Sequence, residues 1–150
     1  MKSGRSMSGR DQYLSLLEQL PLFRGCSTED LRRIGRFANP VRFQRGQLLF
    51  DKEVPAVFCV VLMGHLTIAE GGSMQTILGP GGHFGEDHLL AGCRTSLSAL
   101  ALDDGQISVM DKREFGGLLR TVPEVAIRLL AEALVEERVD RSSADRAVRL

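Results

Sequence analysis

Apolar residues change their spacing twice along the chain, and the changes divide it into a helical lead, a β-rich middle and a helical exit. From Asp11 to Leu20 the side chains of Tyr13, Leu14, Leu16, Leu17 and Leu20 fall on one face at helical spacing, and Pro21 ends that run. Ser27-Thr28-Glu29-Asp30 offers hydroxyls and carboxylates for an N-cap. Leu31, Ile34, Phe37 and Ala38 continue behind it as a second helix until Asn39-Pro40 breaks it. Between 41 and 111 the apolar runs are short, partly β-branched and punctuated by glycine, at 41–43, 48–50, 57–62, 65–69, 74–78, 96–102 and 106–110. Such runs predict a small antiparallel β-barrel or jelly roll.

After Lys112 the helical spacing returns with Phe115, Leu118 and Leu119 on one face. Pro123 suits the first turn of a further helix, whose stripe of Ile127, Leu130, Leu134, Val135 and Val139 fades into the polar stretch 141–146. The predicted class is therefore α+β: a small antiparallel β-barrel or jelly roll flanked by N-terminal helices and C-terminal closing helices. Residues 1–10, rich in Ser, Gly and basic side chains, predict a disordered N-terminus and leave 11–150 as one domain.

The chemistry is concentrated in LGPGGHFGEDHLLAGCRTS, residues 78–96. Glycines at 79, 81, 82, 85 and 92 let a backbone approach a ligand and adopt turns closed to other residues. A short helix over 84–90 would aim free N–H groups and its positive dipole end at an anion. Arg94 supplies a guanidinium fork for two phosphate oxygens and Thr95 a hydroxyl beside it. Glu86 would repel a phosphate, and its natural partner is a hydroxyl donor such as a sugar OH. A phosphate beside a ribose hydroxyl describes a nucleotide.

The order Phe84-Gly85-Glu86, Leu89-Leu90, then Arg94-Thr95-Ser96 resembles the phosphate-binding cassette of the cyclic nucleotide-binding domain family. The resemblance extends over roughly residues 14–142, from LPLFRGCSTEDLRRI, similar to the family's leading helices, through RGQLLFDKEVPAVFCVVLMGHLTI with Gly64 at a tight turn, to SVMDKREFGGLLRTVPEVAIRLLAEALVEER. It implies a regulatory sensor of a cyclic nucleotide, expected to be cyclic AMP with cyclic GMP left open, and no further cofactor. The ligand-binding residues it implies are Gly85, Glu86, Arg94, Thr95 and Ser96, with Arg141 of the closing helix stacking on the base. Ligand binding would swing that helix inward, and residues 123–145 would form a twofold homodimer, as similar helices do in transcription-factor relatives.

Departures from the family pattern keep other readings open. Asp87 stands where relatives usually carry an apolar residue, Ser96 replaces an alanine, Lys52 replaces a frequent glycine, and the loop between Glu86 and Arg94 is shorter. These fit either a modified pocket or a ligand-free barrel serving as a protein-interaction module. Histidines 65, 83 and 88 raise a minor, cupin-like alternative in which His83, Glu86 and His88 hold a metal. Their spacing opposes it, because ligands should converge from facing strands rather than follow one turn.

Composition sets outer bounds. Lys plus Arg equals Asp plus Glu at 19 each, so no global field draws the chain onto nucleic acid or anionic lipid. Relatives that read DNA continue past the long helix into a helix-turn-helix module, and this sequence stops where that module would begin, so no direct nucleic-acid contact is expected. No apolar run reaches the ~18 residues of a membrane span and MKSGRSMSGR lacks a signal peptide's apolar core, which predicts a cytoplasmic protein. The three cysteines, at 26, 59 and 93, form neither a disulfide framework nor a CxxC knuckle. No nucleophile sits in a base-bearing motif, and no enzymatic activity is expected.

Overall fold

A computed structural model describes residues 9–50, 53–54, 57–70, 75–86, 89, 95–132 and 134–135. Lys52, Asp87, His88, Gly92, Cys93, Arg94, Val139 and Arg141 lie outside them. Helix α1 (Gly9–Glu18) leads through a 3-10 turn at Pro21–Phe23 to α2 (Thr28–Phe37). Nine strands follow among the described residues: β1 (Asn39–Phe43), β2 (Leu48–Phe50), β3 (Glu53–Val54), β4 (Phe58–Met63), β5 (Leu66–Glu70), β6 (Thr76–Leu78), β7 (His83–Phe84), β8 (Thr95–Ala101) and β9 (Gly105–Met110). Helix α3 (Lys112–Thr121) comes next, and a closing helix α4 is helical over 123–132 and again at 134–135.

The strands form two antiparallel sheets, one ordered β1-β9-β4-β7 and the other β2-β8-β5-β6 with β3 also on β8. This is a jelly roll of two sheets and not a closed barrel. Strand β4 explains how the layers are built. Its run FCVVLM sends Phe58, Val60 and Leu62 to one face and Cys59 and Val61 to the other, and all five are buried. The first face meets the helices through Tyr13, Leu17, Phe23, Ile34, Phe115 and Leu118. The second meets Phe43, Leu66, Ile68, Phe84, Ala99 and Ile107 between the sheets. A strand covered on both faces carries no alternation, which is why this one is apolar throughout.

Local chemistry places the helices as expected. Ser27 Oγ accepts from Asp30 N–H at 3.0 Å at the start of α2. Asp111 and Glu114 form a reciprocal capping box at the start of α3, and Glu114 also accepts from Asn39 Nδ2 at 2.8 Å, tying α3 to β1. Helix α1 begins at Gly9, two residues ahead of the expected Asp11. Tyr13 on α1 brings its hydroxyl within 2.8 Å of Ser108 Oγ on β9, both residues being buried. Burial pushes the phenol up to about 12, so it stays neutral and hydrogen-bonded. Tyr13→Phe strands the buried Ser108 hydroxyl, and urea unfolding should show a loss of about 1–2 kcal/mol.

Two elements escaped the sequence pattern. Strands β3 and β7 have two residues each, too few for any periodicity to register. Phe84, expected to open a helix over 84–90, instead pairs with Cys59 as part of β7, and the helical turn starts at Glu86. Its first described bond runs from Leu89 N–H to Gly85 O at 3.2 Å.

Candidate functional site

The glycine-rich run divides into two parts with different work. Gly81 N–H donates to Val61 O at 2.8 Å, Gly82 N–H to Gly79 O at 2.9 Å, and Val61 N–H to Gly82 O at 2.8 Å. Gly81 has φ +90°, and a Cβ there would lie 3.1 Å from Pro21 Cδ. The turn at 79–82 therefore delivers β7 to β4 and packs on the 3-10 turn, with the donors of Gly81 and Gly82 spent inside the protein. The expected ligand-facing role of Gly79, Gly81 and Gly82 gives way to this structural one, because a tight turn between strands needs the same residue type.

Gly85 is different. It has φ +99°, and a Cβ built on it would stand 1.8 Å from Val57 O. Only a residue without a side chain lets the chain leave β7, press against the start of β4 and enter the helical turn at Glu86. Leu89, one turn on, is buried in the helical core alongside Phe58, Val122 and Val125. At the far end of the segment Thr95 and Ser96 open β8 by pairing with Val54 and Glu53. The segment 85–95 thus crosses from the four-stranded sheet to the five-stranded one, and through Leu89 it shares a core with the closing helix.

Of the six residues expected to bind ligand, Gly85 and Glu86 stand together at the start of this crossing, and Thr95 and Ser96 have backbone positions at its end. Arg94 and Arg141 lie outside the described residues. Glu86 is partly buried, and its Oε1 lies 3.1 Å from His83 Nδ1. The other ring nitrogen, Nε2, is 2.5 Å from Glu132 Oε2 on α4. Burial lowers the imidazole's pKa, but Glu86 first and Glu132 second more than reverse that, and it is pushed up to about 9. His83 is therefore charged near neutrality. Sequence spacing had no means to find Glu132, which is 49 residues away.

The same geometry bears on the metal-binding alternative. The two carboxylates occupy opposite nitrogens of one ring and so do not converge on a common point, as metal ligands must. No group of three or more His, Cys, Asp or Glu side chains able to hold a metal occurs among the described residues. His65 is engaged elsewhere, with Asp103 Oδ2 at 2.8 Å. Among the described residues no helix is long and apolar enough to cross a membrane.

The sequence profile of the cyclic nucleotide-binding domain matches residues 40–122. No curated protein matches the chain significantly. Among solved structures, the catabolite activator protein of Thermus thermophilus has a TM-score of 0.66 at 25% identity, covering 85% of this chain and 62% of its own. The regulatory subunit of a cAMP-independent protein kinase A from Trypanosoma brucei has a TM-score of 0.69 at 17% identity, covering 83% and 46%. A cAMP-binding acyltransferase from Mycobacterium smegmatis has 0.64 at 21%, covering 83% and 40%. The latter two likenesses are of fold alone. The chain spans less than two thirds of the length of each of these three proteins. With the profile matching more than half of the sequence, the chain belongs to the cyclic nucleotide-binding domain family.

Proposed function

We propose that the chain is a regulatory domain that binds cyclic AMP, with cyclic GMP the runner-up, in the segment 85–95, and that binding moves α4. One observation carries the reading: the family profile spans the Phe84-Gly85-Glu86 and Arg94-Thr95 pair of motifs, and Gly85 adopts a conformation that only glycine tolerates at that spot. In this reading the cyclic phosphate sits on the N–H groups near Gly85 and Glu86, with Arg94 forked on two of its oxygens and Thr95 and Ser96 beside it. Glu86 accepts from the ribose 2′-hydroxyl, and Arg141 stacks on the base. The ligand shifts α4 only to the extent that it binds one helix position more tightly than the other. No catalysis, metal or cofactor enters this reading, and its setting is the cytoplasm.

Thermal unfolding of nucleotide-free protein tests it. Cyclic AMP at a hundred times its dissociation constant should add roughly 2.7 kcal/mol to stability. Melting that ignores both cyclic nucleotides up to millimolar concentration sinks the ligand reading in favour of the interaction module.

A second observation favours self-association. Ile127, Leu130, Leu134 and Val135 on α4 are each more than half exposed, at 66, 63, 52 and 60%, an uncovered apolar stripe at helical spacing. A second copy of the chain laid across it by a twofold axis would bury it. Sedimentation should then show a concentration-dependent dimer that Leu130→Glu dissociates. A monomer at every concentration removes the idea.

A further inference from the structure

His83 joins the two parts of the molecule that the proposed function needs to communicate, and no motif announces its partner on α4. It lies at the start of β7, two residues before Gly85, with a side chain only 11% exposed. Glu86 Oε1 stands 3.1 Å from one ring nitrogen and Glu132 Oε2 2.5 Å from the other. We propose that His83 is the positioning residue for Glu86 and, through Glu132, a clasp that holds the closing helix against the sugar-binding carboxylate. The inference rests on the nucleotide reading for what Glu86 binds, and stands on geometry for the clasp itself.

The chemistry requires a charged ring. A neutral imidazole has one N–H donor and one lone pair, so it can satisfy one carboxylate and must turn its lone pair on the other. With one carboxylate hydrogen-bonded at Nε2 and the other 3.1 Å from Nδ1 at ion-pair distance, the pair of negative charges favours the imidazolium. Among the described residues, the charged groups facing the ring are Glu86 on its own loop and Glu132 from α4. The third neighbour is Phe58 of β4, an uncharged ring with its centroid 5.8 Å away. The two carboxylates outweigh burial and hold the ring protonated up to about pH 9. A raised folded-state value means that the clasp contributes fully below the ordinary 6.5 and is lost as pH rises through about 9.

Its loss would free one part of α4 and not the whole. Arg128, one turn before Glu132, donates from Nη1 to Leu22 O at 2.7 Å and from Nη2 to Arg24 O. The helix is therefore pinned at Arg128 to the 3-10 turn region and at Glu132 to the cassette. Opening the second pin leaves the first as a pivot. In the other direction, a sugar hydroxyl that donates to Glu86 competes for the charge that steadies His83, so occupancy of the sugar site is felt at Glu132.

The test uses the full chain as wild type, His83→Gln and Glu132→Gln. The last replaces a half-exposed side chain and should leave folding intact. In nucleotide-free protein at pH 7, amides over 123–132 should exchange about tenfold faster in both variants. The His83 ring, followed by NMR, should titrate near 9 in wild type and move towards its ordinary value in Glu132→Gln. Cyclic AMP affinity should fall about tenfold in His83→Gln, through loss of Glu86 alignment. Unchanged exchange in Glu132→Gln, or an imidazole that titrates at its ordinary value in wild type, overturns the clasp even where cyclic AMP binds. Exchange and titration effects in a protein that binds no cyclic nucleotide uphold the clasp and retire the nucleotide reading.

Discussion

Gly85→Ala is expected to lower the unfolding free energy by about 3–4 kcal/mol, the largest loss among the glycines of the described residues. Two costs combine. The residue has φ +99°, where an L side chain is strained, and the new Cβ would need to occupy space 1.8 Å from Val57 O. Backbone on both sides prevents relief, since β7 is paired to β4 at Cys59 and Leu89 is anchored in the helical core. Gly46→Ala supplies the control. It has φ +84° with nothing within 4 Å of a built Cβ, so it incurs the conformational strain alone, about 1 kcal/mol. Urea unfolding of both variants should separate them by roughly 2 kcal/mol or more. Equal losses would mean that the chain at 85 can move away from Val57, and the rigid turn proposed for the phosphate would go with it.

Arg94→Ala should weaken cyclic AMP binding by about 10²–10⁴-fold. Two charge-assisted hydrogen bonds to phosphate oxygens, each worth about 1.5–3 kcal/mol, would be lost together with the full charge. Arg94→Lys distinguishes fork from charge. An ammonium keeps the attraction and forfeits the planar pair of donors, so its affinity should fall between wild type and alanine. Calorimetry on the three proteins checks the order. Equal affinity in all three would remove Arg94 from the site.

Much of the architecture was legible because each element carries its own signal. Ser27 announces a helix start through the group that caps it, and the seven strands expected from glycine-punctuated apolar runs all exist. The two-residue strands β3 and β7 were not legible, since they owe their existence to pairing partners distant in sequence. The run at 79–82 was read towards a ligand and turned out to serve a strand connection, as glycine has the same local preferences in both. Gly85 and Glu86 were singled out through their motif, and the structure places them together where β7 ends. The pairing of His83 with Glu132 was not legible, because an ion pair across 49 residues leaves no trace in spacing. The α4 stripe was visible as a pattern, but its exposure follows only from the tertiary fold.

The most direct measurement is calorimetric titration of cyclic AMP and cyclic GMP into wild-type chain freed of carried-over nucleotide. The account predicts saturable binding of cyclic AMP with one site per chain, weaker binding of cyclic GMP, and loss of the signal in Arg94→Ala. The absence of saturable heat with either nucleotide would contradict it and leave a jelly roll that kept the family's fold without its ligand.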